Sequence, residues 1–173
     1  TGDFSLYFDS DLTVPGLSTP DFGTDKPGHI VGYELRLTDA TGADVSPGTA
    51  VYSGLHALDP TDTRTDDGDG FGLGDPILLF NNGGAIEGRT GSSGGTLYFT
   101  ISVTPSNGQV TFTQSGSIWH SSRLSADDTM SLGPTDATGA SGVYALTLSQ
   151  TLQDADGDTS QASINVAGKT SAY

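Results

Sequence analysis

The sequence predicts an all-β fold, an antiparallel β-sandwich with long loops and at most one or two short helical turns. Short segments that alternate apolar and polar residues are separated by Gly, Pro, Asn and Asp, which is typical of strands joined by turns. No stretch keeps a helical periodicity, although Ser125–Thr129 could form one turn. Strands at such close spacing favour a sandwich over other β architectures.

Six segments alternate clearly enough to be predicted as strands. They are Phe4–Phe8, Ile30–Leu37, Leu97–Val103, Val110–Thr113, Val143–Leu148 and Ala162–Val166. The Asn-Gly pair in Pro105–Gly108 predicts a tight hairpin turn, because Asn and Gly tolerate positive φ angles. The apolar run Ile77–Phe80 predicts a strand buried on both faces or at a crowded edge. The glycine-rich segments 81–84 and 91–95 are predicted to be loops within the domain.

Length and composition indicate one domain, spanning residues 1–173. The chain has no cysteine, so bound metal is the obvious remaining crosslink for a loop-rich protein. No apolar run approaches the roughly 18 residues of a membrane span, and we expect the chain to be one module of a longer polypeptide. A net charge of −15 argues against partners such as nucleic acid or an anionic membrane.

The acidic residues have an unusual composition, since 19 of the 21 are Asp. Asp favours turns and brings its carboxylate close to the backbone, and most of these residues lie where a predicted strand ends. Calcium prefers about 6–8 oxygen ligands from flexible loops, whereas magnesium demands octahedral geometry. The composition therefore indicates calcium-binding loops, and a salt-tolerant acidic surface remains the alternative.

The loop Asp154–Asp158 is the strongest single candidate for a metal site. Its carboxylates occur at alternate positions and Gly157 permits a bend. It is not an EF-hand, because the glycine comes fourth and no helices flank it. An Asx-turn hairpin without metal is the alternative. The complete set of predicted metal ligands is Asp66, Asp67, Asp69, Asp75, Asp127, Asp128, Asp154, Asp156 and Asp158.

The segment Thr65–Asp75, TDDGDGFGLGD, comes closer to EF-hand spacing but lacks the closing carboxylate at the twelfth position, which is Leu78. Either another loop completes the shell, or one position stays open for water or a partner's oxygen. Alternate glycines leave the backbone able to approach a partner closely, which favours the second possibility.

Catalysis is not predicted. The chain has three histidines and contains neither a G-x-S-x-G elbow nor an H-E-x-x-H pair, so we expect no enzyme and assign no catalytic residue. Trp119 is either a ligand-contacting wall or a core residue.

Several motifs together resemble the calcium-dependent, peptide-binding domains of giant RTX adhesins, which bacteria export by type I secretion. The resemblance covers roughly residues 65–167. It depends on D-G-D-G-F-G-L-G-D-P from Asp67, on I-W-H from Ile118, on Asp127-Asp128 and on D-A-D-G-D-T from Asp154. The tandem G-G-x-G-x-D repeats of RTX β-rolls are absent.

The resemblance implies an extracellular, monomeric cell-adhesion and biofilm module that holds several Ca²⁺ ions and captures the C-terminal carboxylates of proteins on other cells. Asp67, Asp69 and Asp75 would hold the ion, with Asp66, and the peptide would contact Gly70, Phe71 and Gly72, with Trp119 beside them. Neighbouring adhesin domains would be further partners, without membrane insertion. The alternatives are a calcium-dependent carbohydrate-binding domain or a structural extender of the same adhesin.

Overall fold

The computed structural model describes residues 2–3, 28–63, 71–121 and 130–168. Nine strands lie in this part of the chain. They are β1 Gly2–Asp3, β2 His29–Asp39, β3 Val51–Leu58, β4 Leu73–Asn82, β5 Ala85–Thr90, β6 Leu97–Val103, β7 Gln109–Gln114, β8 Tyr144–Gln153 and β9 Thr159–Gly168.

The strands form two antiparallel sheets that pack face to face. The larger sheet has the order β1-β7-β6-β5-β4-β3, and the smaller has the order β2-β8-β9. The described residues contain no helix, and accordingly none that is long and apolar enough to cross a membrane. The predicted β-sandwich is confirmed, and the predicted helical turn at Ser125–Thr129 lies outside the described residues.

The core lies between the sheets and follows from the alternation along each strand. From the smaller sheet, Leu35, Leu37, Leu146 and Leu148 are almost completely buried. They face residues of the larger sheet such as Ile77, Leu79, Ile86, Phe99 and Ile101. Burying a side chain of this size contributes about 1.5–3 kcal/mol, so this interface is the main source of stability.

Most of the predicted strands are confirmed. The predictions for Ile30–Leu37, Leu97–Val103, Val110–Thr113, Val143–Leu148 and Ala162–Val166 fall on β2, β6, β7, β8 and β9, apart from Val143, which precedes β8. Ile77–Phe80 lies in β4 and is buried throughout, as expected for a strand covered on both faces. The predicted strand Phe4–Phe8 lies outside the described residues.

Two loop predictions need correction. Asn81 and Asn82 belong to β4, and only Gly83 and Gly84 form the turn into β5, whereas segment 91–95 is a loop as predicted. The hairpin between β6 and β7 is confirmed, but its turn is longer than a two-residue turn. Thr104 accepts the N–H of Gly108 at 3.0 Å, and only then does β7 begin.

The outer edge of β3 is covered by chain that follows β7. Tyr52 and Thr135 exchange two backbone hydrogen bonds, at 3.0 and 2.9 Å. Further along the strand, Leu58 donates its N–H to Ser117 and Trp119 donates its N–H to His56, each at 2.9 Å. These bonds pair backbone N–H and C=O groups along the edge of β3. They also place Trp119 at the end of β3, where the chain continues to Asp59.

Candidate metal and ligand sites

The tip of the β8–β9 hairpin folds around the side chain of Asp154. Its Oδ1 accepts the backbone N–H groups of Asp156, Gly157 and Asp158 at 3.3, 3.0 and 2.8 Å. The N–H of Asp154 donates to the carbonyl of Asp158 at 3.0 Å. Gly157 has a φ of 104°, a backbone conformation that glycine adopts without strain. The loop therefore closes through one carboxylate oxygen.

Three predicted ligands come together at this tip. Asp154, Asp156 and Asp158 each offer a carboxylate oxygen, and these oxygens lie within 4.8 Å of one another. Asp154 is half-buried, and the other two are exposed. The three carboxylates are close enough to bind one metal ion. The described residues contain no other such group of three acidic or imidazole side chains.

The carboxylates interact electrostatically. The pKa of Asp156 is raised, first by its hydrogen bond with Asp154 and then by the negative charge of Asp154. The pKa of Asp154 is lowered, first by the same hydrogen bond with Asp156 and then by the backbone N–H groups of the turn. The raised pKa of Asp156 reflects the cost of placing two negative charges side by side. A cation at the same place would relieve this repulsion.

The same turn occurs twice in this chain without the extra carboxylates. The pentapeptide Asp-Ala-Thr-Gly-Ala stands at residues 39–43 and again at 136–140. In the second copy, Oδ1 of Asp136 accepts the N–H and the hydroxyl of Thr138 and the N–H of Ala140, at 2.8, 2.7 and 2.9 Å. Asp39 makes the corresponding bonds in the first copy. A turn of this kind therefore closes by hydrogen bonds alone. The alternative for residues 154–158, an Asx-turn hairpin without metal, requires the same property.

Other clustered aspartates bind partners within the protein. Asp44 accepts the Nε–H of Arg36 at 2.7 Å. Oδ1 of Asp59 accepts the N–H and the hydroxyl of Thr61, at 2.8 and 2.7 Å. Clustered aspartates in this sequence therefore have different roles. Some bind partners within the protein and others form a potential metal site, and only the structure distinguishes the two.

The predicted ligand-contacting residues Phe71, Gly72 and Trp119 lie together. The indole N–H of Trp119 donates to the carbonyl oxygen of Phe71 at 2.8 Å. Gly72 is buried at a φ of 76°, and a Cβ there would stand 3.0 Å from Leu58 Cδ1 and 3.8 Å from Trp119 Cδ1. Trp119 is half-buried, so it is neither a core residue nor a free platform.

Asp62 was not among the predicted site residues, yet it holds the same segment. Its Oδ2 accepts the N–H of Gly72 at 3.0 Å, and the N–H of Asp59 donates to the carbonyl of Gly72 at 2.9 Å. The sequence D-P-T-D at 59–62 could have indicated this role, because Asp directly after a strand is typical of a turn.

The remaining predicted residues are separate from these two groups or are not described. Asp75 lies in β4 with an exposed side chain, apart from the Asp154 group. The remaining members of the predicted set, Asp66, Asp67, Asp69, Gly70, Asp127 and Asp128, lie outside the described residues.

Comparison with known proteins places the chain in one family. Residues 1–167 match the family described as a domain of unknown function, DUF5801, and the chain belongs to it. No curated protein and no solved structure matches the chain.

Proposed function

We propose that this domain is a calcium-dependent adhesion module that binds the C-terminal ends of peptides and forms part of a large secreted bacterial adhesin. The observation that carries the proposal is the group of three carboxylates at Asp154, Asp156 and Asp158, within 4.8 Å of one another. Carboxylates are hard oxygen donors, which suit Ca²⁺. An ion held there would stabilise the folded state, because the unfolded chain does not hold the three groups together.

A second calcium site in the segment Thr65–Asp75 would provide the ligand-binding function. A protein of net charge −15 repels a peptide carboxylate unless a cation reverses the local field. Asp67 and Asp69 would hold that ion. Phe71 follows these aspartates closely in the sequence, and the indole N–H of Trp119 donates to its carbonyl at 2.8 Å. Two aromatic residues beside the segment support this location.

The proposal is tested with an array of short peptides that vary in their last three residues. Each peptide is made with a free C-terminal carboxylate and as the C-terminal amide. We expect binding that is roughly micromolar for the free acids, much weaker for the amides, and lost when a chelator removes Ca²⁺. Equal binding of acids and amides would contradict the terminal-carboxylate site.

A variant series separates the two proposed ions. Asp67→Asn with Asp69→Asn should abolish peptide binding and leave the β-sheet circular dichroism unchanged. Asp75→Asn, at an exposed position in β4, tests whether that carboxylate contributes to the same ion. Normal peptide binding by the Asp67/Asp69 double variant would move the binding site away from this segment.

A structural extender of the same adhesin is the second candidate. It is favoured by the position of the Asp154 group at the tip of a hairpin between two consecutive strands, where an ion would brace β8 against β9. An extender would lose thermal stability on chelation and would bind none of the peptides.

A further inference from the structure

The outer face of the smaller sheet carries a pocket of about 210 Å³ at the end where β2 finishes. Polar side chains from all three strands line it, namely Arg36, Thr38, Asp39, Thr147, Ser163 and Asn165. The register of β8 against β9 shifts between Leu146 and Thr147, so a bulge interrupts the sheet at this place. Thr147 stands six residues before Gln153, about 20 Å along the strand from the Asp154 group.

Two buried hydroxyls form the floor of the pocket. Thr38 and Thr147 are 4% and 6% exposed, and their Oγ1 atoms lie 3.0 Å apart in a hydrogen bond. Thr38 Oγ1 also lies 3.4 Å from the carbonyl of Ala145. Each hydroxyl can donate one bond and accept two, so the floor keeps hydrogen-bonding capacity after this mutual bond.

The rim contributes a charged donor and a charged acceptor, each engaged through one atom. Arg36 uses Nε to bind Asp44 at 2.7 Å, and this bond does not involve its two terminal NH₂ groups. Asp39 uses Oδ1 for all three bonds of its turn, which leaves Oδ2 outside that network. Ser163 and Asn165 are exposed on β9, and the hydroxyl of Ser163 shares a hydrogen bond with that of Ser149 at 2.7 Å.

The charges around the pocket disfavour an anionic ligand. Arg36 is the single cation of the lining, whereas Asp39, Asp44 and Glu34 carry three negative charges beside it. An anion would therefore meet a net negative field. Polar and apolar atoms contribute about equally to the lining, in which Gly42 and Ala145 stand beside the polar side chains, and the volume lies below the roughly 300–1,000 Å³ of sites for drug-like ligands.

We propose that this pocket binds a neutral sugar residue without a metal bridge. The lining contains the donor groups of Arg36 and the acceptor groups of Asp39, and a sugar ring presents hydroxyl groups that both donate and accept. The site is independent of the proposed peptide function, because it lies on a different sheet from Phe71 and contains none of the Asp154 group. A shallow site of this size should bind weakly, with a Kd of about 1 mM, equivalent to −4.1 kcal/mol.

The test is titration of the isotope-labelled domain with glucose, galactose and mannose, followed by NMR, with Ca²⁺ present throughout. At least one sugar should shift the amide signals of Thr38, Thr147 and Asn165 in a saturable way, and glucuronate should bind less well than glucose. The shifts should persist in the variant Asp156→Thr with Asp158→Ala. No saturable shift at these residues with any of the three sugars, or tighter binding of glucuronate, would overturn the proposal.

Two variants locate the binding. Thr147→Val keeps the shape of the side chain and removes one floor hydroxyl, and Asn165→Ala removes an exposed amide. Each should weaken sugar binding roughly fivefold to tenfold, the effect of one hydrogen bond. Thr111→Val on β7 is the matched control on the other sheet and should bind normally. Unchanged affinity in both pocket variants would also overturn the proposal.

Discussion

Asp154 and Asp158 are joined twice across the tip of the β8–β9 hairpin. The N–H of Asp158 donates to Oδ1 of Asp154 at 2.8 Å, and the N–H of Asp154 donates to the carbonyl of Asp158 at 3.0 Å. The turn is thus closed by the carboxylate of Asp154 together with backbone groups, and the carboxylates of Asp156 and Asp158 are not needed to close it. We propose that these two carboxylates lie beside Asp154 because they bind calcium.

The Asx turns predict how stability depends on pH in the metal-free protein. The pKa values of Asp39, Asp59 and Asp136 are lowered from 3.8, in each case first by the hydroxyl of the Thr two residues later. A lowered folded-state pKa gives stability that is complete above the unfolded value and is lost as pH falls through the folded value. The melting temperature should therefore decline below about pH 4.

The matched variant replaces all three of these aspartates by Asn, whose carbonyl oxygen can still accept the turn hydrogen bonds. Its melting temperature should change less than that of the parent between pH 5 and pH 3, measured in the presence of chelator. Parallel pH profiles for the two proteins would show that these turns do not contribute to the acid sensitivity.

Gly72→Ala tests the geometry of the segment that holds Phe71. The left-handed conformation at φ 76° costs an alanine about 1–2 kcal/mol, and its Cβ would also approach Leu58 Cδ1 to 3.0 Å. Gly83→Ala is the control, since φ is 61° there and nothing lies within 4 Å of the Cβ position. Urea denaturation should show a larger loss in the free energy of unfolding for Gly72→Ala. Equal losses would mean that the crowding at Gly72 is relieved at no cost.

Trp119→Phe removes the donor to the Phe71 carbonyl and keeps an aromatic ring. The lost hydrogen bond should lower the free energy of unfolding by about 1 kcal/mol, measured by circular dichroism because Trp119 is the single tryptophan. In the parent protein, the same residue should report peptide binding by a change in its fluorescence. Full stability of the variant would indicate that the 2.8 Å contact contributes little.

Gly88→Ala tests the packing of Phe99 over the neighbouring strand in the larger sheet, where Gly88 of β5 pairs with Phe99 of β6. A Cβ at Gly88 would lie 2.4 Å from the ring of Phe99, which is completely buried. Overpacking of this kind costs about 1–3 kcal/mol. Gly94→Ala, where nothing lies within 4 Å, should be close to neutral in the same denaturation experiment. A neutral Gly88→Ala would contradict the close approach of β5 to Phe99.

Alternation was sufficient to predict the strands whose buried positions hold large apolar residues, such as β6 and β8. It missed β3, although the burial of that strand alternates cleanly. Ser53 occupies an inward position of β3, where its hydroxyl donates to the carbonyl of Ile77 at 2.6 Å, and Gly54 follows at φ 76°. A polar core residue beside a glycine has no signature in hydrophobic periodicity.

Strand β5 was missed for a related reason. Gly88 faces the core because the ring of Phe99 fills the space that a side chain would take, so the sequence Ala-Ile-Glu-Gly-Arg-Thr shows one large apolar residue. Hydrophobic periodicity shows which residues are apolar, but it does not show that a glycine is buried under a side chain of the neighbouring strand.

The candidate metal group was predictable because its three ligands are close in sequence. Asp154, Asp156 and Asp158 share one turn, so local spacing determines their proximity. The contact of Trp119 with Phe71 spans 48 residues and depends on how the chain after β7 covers the edge of β3. Such long-range relationships follow from sheet order, which the strand pattern does not specify.

Calcium titration by calorimetry, comparing the parent domain with the variant Asp156→Thr plus Asp158→Ala, tests the central claim most directly. The variant converts the loop into Asp-Ala-Thr-Gly-Ala, the pentapeptide that closes its turn by hydrogen bonds at Asp39 and Asp136. The hairpin should therefore stay folded while the variant binds one Ca²⁺ fewer than the parent. Equal numbers of bound Ca²⁺ in the two proteins, or no calcium binding by the parent, would contradict the calcium site at Asp154.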